Sequence, residues 1–176
     1  MISTHYHSPY NLPAMRLTAK DGRLLIADWF EQKTTKLIDK LSADTCVIKR
    51  HLLDAHDADQ AVLLKVCQQL DEYFAGTRQV FDVALDLSHG TAFQQSVWQA
   101  LRQIPYGQTI SYAQLAKNIG KPMAFRACAN ANGKNLISLI IPCHRVIAAN
   151  GSLGGYTGGV QIKETLLNHE AKYHQL

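Results

Sequence analysis

LISLIIPCHRVI, residues 136–147, is the stretch on which the reading of this chain turns. Leu136, Ile137, Leu139, Ile140 and Ile141 enclose a single Ser138, so the segment is expected to run into a core as a strand or extended piece. Pro142 has a locked φ and no N–H, which stops regular structure. Cys143 therefore sits where a buried segment emerges, with His144, Arg145 and Val146 behind it. The nucleophilic form of cysteine is the thiolate, and a nearby base or positive charge promotes it. Neighbours on an extended chain point opposite ways, so His144 is expected to reach the sulfur through a water or a bent backbone. Cys46, Cys67 and Cys128 have no such neighbour and read as small buried hydrophobes.

Downstream, Ile162, Lys163, Leu166, Leu167 and Glu170 belong to one helix. Glu170 follows Leu166 and Leu167 by four and three residues, which puts it on their apolar side. A carboxylate directed at a core needs a partner, and His144 is the natural one. Cys143, His144 and Glu170 would then be nucleophile, base and orienter. The alternative is a surface glutamate at a fraying helix end, and spacing alone leaves both open.

Upstream, Thr91 is expected to cap a helix with Phe93, Val97, Ala100 and Leu101 on one face, broken by Pro105 and Gly107. Ser111 caps a second helix striped by Tyr112, Leu115, Ala116 and Ile119. After a turn at Gly120-Lys121-Pro122 comes a third helix, whose packed face is expected to be Ala124, Ala127, Cys128 and Ala131. Two short helices around a glycine turn make a helix-turn-helix pattern.

Charge supports that pattern. Residues 1–88 hold ten Lys/Arg and twelve Asp/Glu; residues 89–176 hold eight and two. The 77 residues between Asp86 and Glu164 contain no carboxylate. Such a surface attracts a polyanion. The break near residues 87–91 is the expected domain boundary. Before it, Met15–Ala19 and Leu24–Phe30 read as strands joined by an Asp21-Gly22 turn. Leu63, Val66, Cys67, Leu70 and Phe74 form a helical stripe, with Asp57 or Asp59 as cap and Gly76 as stop. His5 and His7 share a strand face and are expected to be solvated. The 176 residues, 47% of them apolar, suffice for two small cores. No apolar run reaches membrane-spanning length and no signal-peptide pattern is seen, so a cytoplasmic protein is expected. The four cysteines contain no CxxC pair, so free thiols are expected and no structural zinc.

Four segments together are similar to the O6-alkylguanine-DNA alkyltransferase family, in its bacterial Ogt type. They are PCHRVI (142–147), GGYTGGVQIKETLL (154–167) with Glu170, GQTISYAQLA (107–116) and FRACANANGKN (125–135). The resemblance covers Thr91–Glu170, and PCHRV followed by GGYxGG is its most specific pair. It implies an α+β protein: an RNase H-like α/β domain over residues 1–88 and a mostly helical domain, with a winged helix-turn-helix, over residues 89–176. It implies single-use transfer of an alkyl group, typically methyl, from O6-alkylguanine (and O4-alkylthymine) in duplex DNA to Cys143, after the nucleotide is flipped out. His144 would be the base and Glu170 its support. Asn135 would brace the reactive turn, and Tyr112 would donate to the departing guanine. Arg126 would be the finger entering the duplex, with Tyr112, Ala124 and Ala127 also against DNA. Val146, Ser138, Tyr156 and Thr157 would line the pocket, and the carbonyls of Cys143 and Val146 would accept from the guanine amine. No cofactor, no metal and a monomer are implied.

Two positions depart from the family pattern. Leu136 stands where proline usually follows the bracing asparagine, which implies a less rigid loop. Ser138 stands where some members have proline, which implies room for bulkier alkyl groups. Two rival classes are open to the sequence: a cysteine hydrolase using Cys143 and His144 with turnover, and a helix-turn-helix regulator indifferent to loss of Cys143.

Overall fold

The computed structural model describes residues 1–30, 35–41 and 44–174. The chain divides into two compact units, Met1–Leu87 and Ser88–Leu176.

In the first unit, Asp21 (φ 51) and Gly22 (φ 70) take the two left-handed positions of a tight hairpin turn. The turn joins β2 (Met15–Lys20) to β3 (Arg23–Trp29). β1 (Ile2–Tyr6) pairs antiparallel with β2, and the short β4 (Cys46–Val47) runs parallel to β1, giving the order β3-β2-β1-β4. One short helix, α1 (Thr35–Leu41), precedes β4. A longer one, α2 (Ala58–Phe74), covers the sheet with Leu63, Val66, Cys67, Leu70, Tyr73 and Phe74 against buried Met15, Leu17 and Ala19. Asp57 caps α2 by accepting from the Gln60 N–H at 2.9 Å. Asp59 instead accepts from the Gly22 N–H at 2.8 Å and so ties the hairpin to the helix start. Gly76 (φ 78) ends α2, with Gly76 N–H on the Tyr73 carbonyl and Thr77 N–H on that of Glu72. His5 is exposed, its ring edge-on to Phe30 at 4.8 Å.

In the second unit, Thr91 and Gln94 form a reciprocal cap at the start of α3 (Ala92–Leu101). This helix buries Val97, Trp98 and Leu101, and the Trp98 indole N–H donates to the Ala131 carbonyl at 2.9 Å. β5 (Ile110–Ser111) passes directly into α4 (Tyr112–Asn118), capped by Ser111. A turn through Gly120 (φ 71) leads to α5 (Phe125–Asn132). β6 (Val146–Ile147) pairs parallel with β5, and α6 (Val160–Tyr173) completes the described chain.

Three sequence expectations need correction here. Cys46, read as a small buried hydrophobe, is exposed on the two-residue strand β4. Ala127 is exposed, and the buried face of α5 is Cys128, Ala131 and Asn132, with Ala124 half-buried. At about 100° per residue, Ala127 stands roughly 100° round the helix from Cys128, outside the packed stripe. Residues 136–141 do not form a strand. They fold into a closed hook in which Ile141 N–H donates to the Ile137 carbonyl at 2.9 Å and Leu139 takes a left-handed φ of 71. A continuous apolar run reports burial and not conformation. Here all five apolar residues are at most 7% exposed, and the segment's bridge is the isolated one between Ser138 and Ile141 within the hook itself.

Candidate active site

The hook is held from inside by Asn135. Its Oδ1 accepts from the Ile137 N–H at 3.0 Å, and its Nδ2 donates to the Ile141 carbonyl at 3.0 Å and to Cys143 Sγ at 3.2 Å. One amide thus replaces the pairing a sheet would supply and points a donor at the sulfur. Asn135→Ala is expected to leave the buried Ile137 N–H unpaired, while the Ile141 carbonyl keeps the Cys143 N–H at 2.7 Å, and to cost about 2 kcal/mol. A fall in the melting temperature checks this, together with slower labelling of Cys143.

The hook delivers Cys143 into a turn of 3-10 helix, Cys143–Arg145. This is the bent backbone that the sequence left open as one route for His144. Cys143 is 4% exposed and His144 fully buried. His144 Nε2 donates to Glu170 Oε1 at 2.8 Å. That contact fixes the tautomer, because an ionised carboxylate can only accept. Nδ1 then carries the lone pair, and it has no hydrogen-bond partner among the described residues.

Glu170 is fully buried, so it is not the surface glutamate of the alternative reading. Besides His144 it accepts from Arg145 through Nε (2.9 Å) and Nη2 (2.9 Å) and from the Gly107 N–H at 3.0 Å. Arg145 spends a further N–H on the Ile104 carbonyl at 2.6 Å and lies over the Tyr106 ring. These donors outweigh the burial cost and hold the Glu170 carboxyl well below the usual carboxylate range. Burial pushes the His144 imidazole down, against the opposing pull of Glu170. The resting pair is therefore neutral imidazole and ionised carboxylate.

Both shifts have the same sign for stability. An unfolded chain takes a proton on His144 below about pH 6.5, and on Glu170 below about pH 4.3. The folded chain refuses both until lower pH. Stability is expected to be full above pH 6.5 and to decline as pH falls through that window and below. Denaturant melts across pH 4–7 check this, and in His144→Gln the decline between pH 6.5 and 5 should flatten.

A second buried cation was not assigned from sequence. Lys163 is 0% exposed. Its Nζ donates to the Val146 carbonyl at 2.6 Å and to that of Leu153. Burial brings its pKa down to about 8, while the charge of Cys143 opposes the fall, so ammonium and sulfur feel one another. Arg145 was also missed. Lys163 stood in the apolar stripe Ile162–Leu166 and Arg145 in an apolar segment, and a cation in such a place is the signal that would have found them.

Tyr112 reaches the site by backbone pairing. Register Ile110↔Val146 and Ser111↔Ile147 sets β5 beside β6, so the first residue of α4 lies next to the Cys143–Arg145 turn. Tyr112 is half-buried; burial and the charge of Cys143 push its pKa up. Val146 and Ser138 are buried beside the turn. Thr157, on the glycine loop, donates to the Gly133 carbonyl at 2.9 Å, with half-buried Tyr156 next to it. Arg126 and Ala127 are not in this cluster. They are exposed near the opposite end of α5 from Asn132, and the Arg126 guanidinium lies over the Phe125 ring at 5.6 Å. The described residues contain no group of three or more His, Cys, Asp or Glu that could hold a metal, and no helix among them is long and apolar enough to cross a membrane.

The second unit thus folds two short helices around a glycine turn together with a buried cysteine, histidine and glutamate array. Family comparison gives the class. Residues 4–87 match the ribonuclease-like domain, and residues 92–172 the DNA binding domain, of 6-O-methylguanine DNA methyltransferase, and the chain belongs to that family. Among relatives, the methylated-DNA–protein-cysteine methyltransferase of Methanosarcina acetivorans is 56% identical over 103 residues, 58% of this chain and 65% of that one. The Salmonella typhimurium protein of the same name is 56% identical over 102 residues, 58% and 60% of the two chains. These alignments span less than two thirds of the relatives' length. The crystal structure of Mycobacterium tuberculosis OGT in complex with DNA is similar over nearly the whole chain. It is 37% identical, covers 98% of this chain and 94% of that one, and has a TM-score of 0.82.

Proposed function

We propose that this chain repairs alkylated DNA by transferring an alkyl group from the O6 atom of guanine to Cys143, once per molecule. The observation that carries the reading is the buried relay in which Glu170 fixes His144 with a free Nδ1 lone pair beside the cysteine turn. The thiol proton passes to Nδ1, through a bridging water in this reading. The sulfur then attacks the saturated carbon. A carbon–sulfur bond forms as the carbon–O6 bond breaks, and the electron pair leaves on guanine. Tyr112 meets that charge with its O–H, and one proton returns to the base, so thiol and ether become thioether and guanine. Lys163 steadies the thiolate. A thioether offers water no carbonyl to attack, so the protein is consumed and needs no cofactor.

Duplex DNA is the partner, held by the carboxylate-free surface. The exposed Arg126 fills the space of the extruded nucleotide, at a cost of a few kcal/mol for unstacking. Val146, Ser138, Tyr156 and Thr157 wall the pocket, and a nucleic-acid substrate with reduced cysteines fits the cytoplasm. The test is intact mass after exposure to duplex DNA containing O6-methylguanine. One added methyl, mapped to Cys143 and stopping at one equivalent, is expected. Continued turnover on an acyl substrate with no mass gain would instead assign a cysteine hydrolase.

A further inference from the structure

We propose that Asn132 is a positioning residue that holds Tyr112 and the Cys143 backbone in fixed relation, and thereby sets the rate of alkyl transfer. The inference rests on the reading above and extends it to a residue outside the relay. Asn132 is the last residue of α5 and is only 5% exposed. Its Nδ2 donates to the Cys143 carbonyl at 3.3 Å. The same amide lies in hydrogen-bonding reach of the Tyr112 hydroxyl, where it favours the ionised phenol against the effect of burial. Its Oδ1 is enclosed and has no hydrogen-bond partner among the described residues.

These three facts point one way. An amide NH₂ carries two donors. One reaches the carbonyl of the nucleophile's own residue, and the other is available to the oxygen of Tyr112. A donor entering that oxygen leaves its O–H free to face the substrate, and polarises it toward donation. The enclosed Oδ1 gains no hydrogen bond from the surrounding described residues. An apolar side chain of the same size would fill the space without stranding a buried acceptor. Sites that give up stability for chemistry have this signature. Asn132 touches none of the reacting atoms and acts through Tyr112.

The test compares Asn132→Leu, Tyr112→Phe and the double variant with the wild-type chain. Readouts are melting temperature, duplex affinity and single-turnover alkyl transfer from an O6-methylguanine duplex. Asn132→Leu is expected to melt at or above the wild-type temperature and to bind duplex equally well. It should transfer alkyl about tenfold more slowly, as for loss of one transition-state hydrogen bond. In the Tyr112→Phe background the same change is expected to cost nothing further. An unchanged rate, or a full tenfold loss in both backgrounds, overturns the proposal. Should leucine prevent folding, Asn132→Ala carries the same cycle. A wild-type chain that takes no methyl, or a Tyr112→Phe chain of normal rate, would instead overturn the underlying functional reading.

Discussion

Glu170→Ala is expected to destabilise the second unit by about 3–5 kcal/mol, the usual cost of stranding a buried charge. The carboxylate serves three donors at once: the His144 ring, the Arg145 guanidinium and the Gly107 N–H. Removing it leaves a guanidinium that is 6% exposed without its counter-ion. It also lets the imidazole lose its tautomer. Both folding and alkyl transfer should fall. Glu170→Gln preserves the shape and one acceptor, so it should fold better than the alanine variant yet leave Arg145 uncompensated. Urea melts rank the three chains, and an alanine variant of wild-type stability would show the network to be ornamental.

Cys143→Ser carries the second large effect. The hydroxyl is a far weaker nucleophile at neutral pH than the thiol it replaces, which on the proposed reading has a base and a cation beside it. Alkyl transfer should drop by at least about a thousandfold. Serine is smaller than cysteine and equally able to accept from Asn135, so the fold and duplex binding should survive. Gel-shift affinity within a factor of about three, with no mass gain, is the expected pair of results. Transfer at a normal rate would place the acceptor elsewhere.

The sequence was informative about which residues meet and less so about how the backbone brings them together. Glu170 could be suspected because helical spacing is regular and a charge on an apolar stripe stands out. The caps at Asp57, Thr91 and Ser111 were legible because capping is local chemistry. The hook at residues 136–141 was not legible, because its conformation is dictated by the Asn135 side chain and by packing from several directions. Periodicity carries no trace of either. Ala127 was misplaced because small residues are compatible with both faces of a helix. Arg145 was overlooked beside the more reactive cysteine and histidine, although it makes more bonds to Glu170 than His144 does. Asn132 was invisible as a site residue for a different reason. Nothing in an asparagine near a helix end distinguishes a pocket contact from an ordinary terminus.

Lys163 and Glu170, the cation and the carboxylate of the site, both come from α6. Ribosomal synthesis makes the sulfur well before either of them. Until the last helix docks, Cys143 has neither an imidazole held by Glu170 nor an ammonium beside it. On the reading proposed above, a reagent spent once per molecule is thereby kept from reacting in nascent and partly unfolded chains until the tertiary structure is finished.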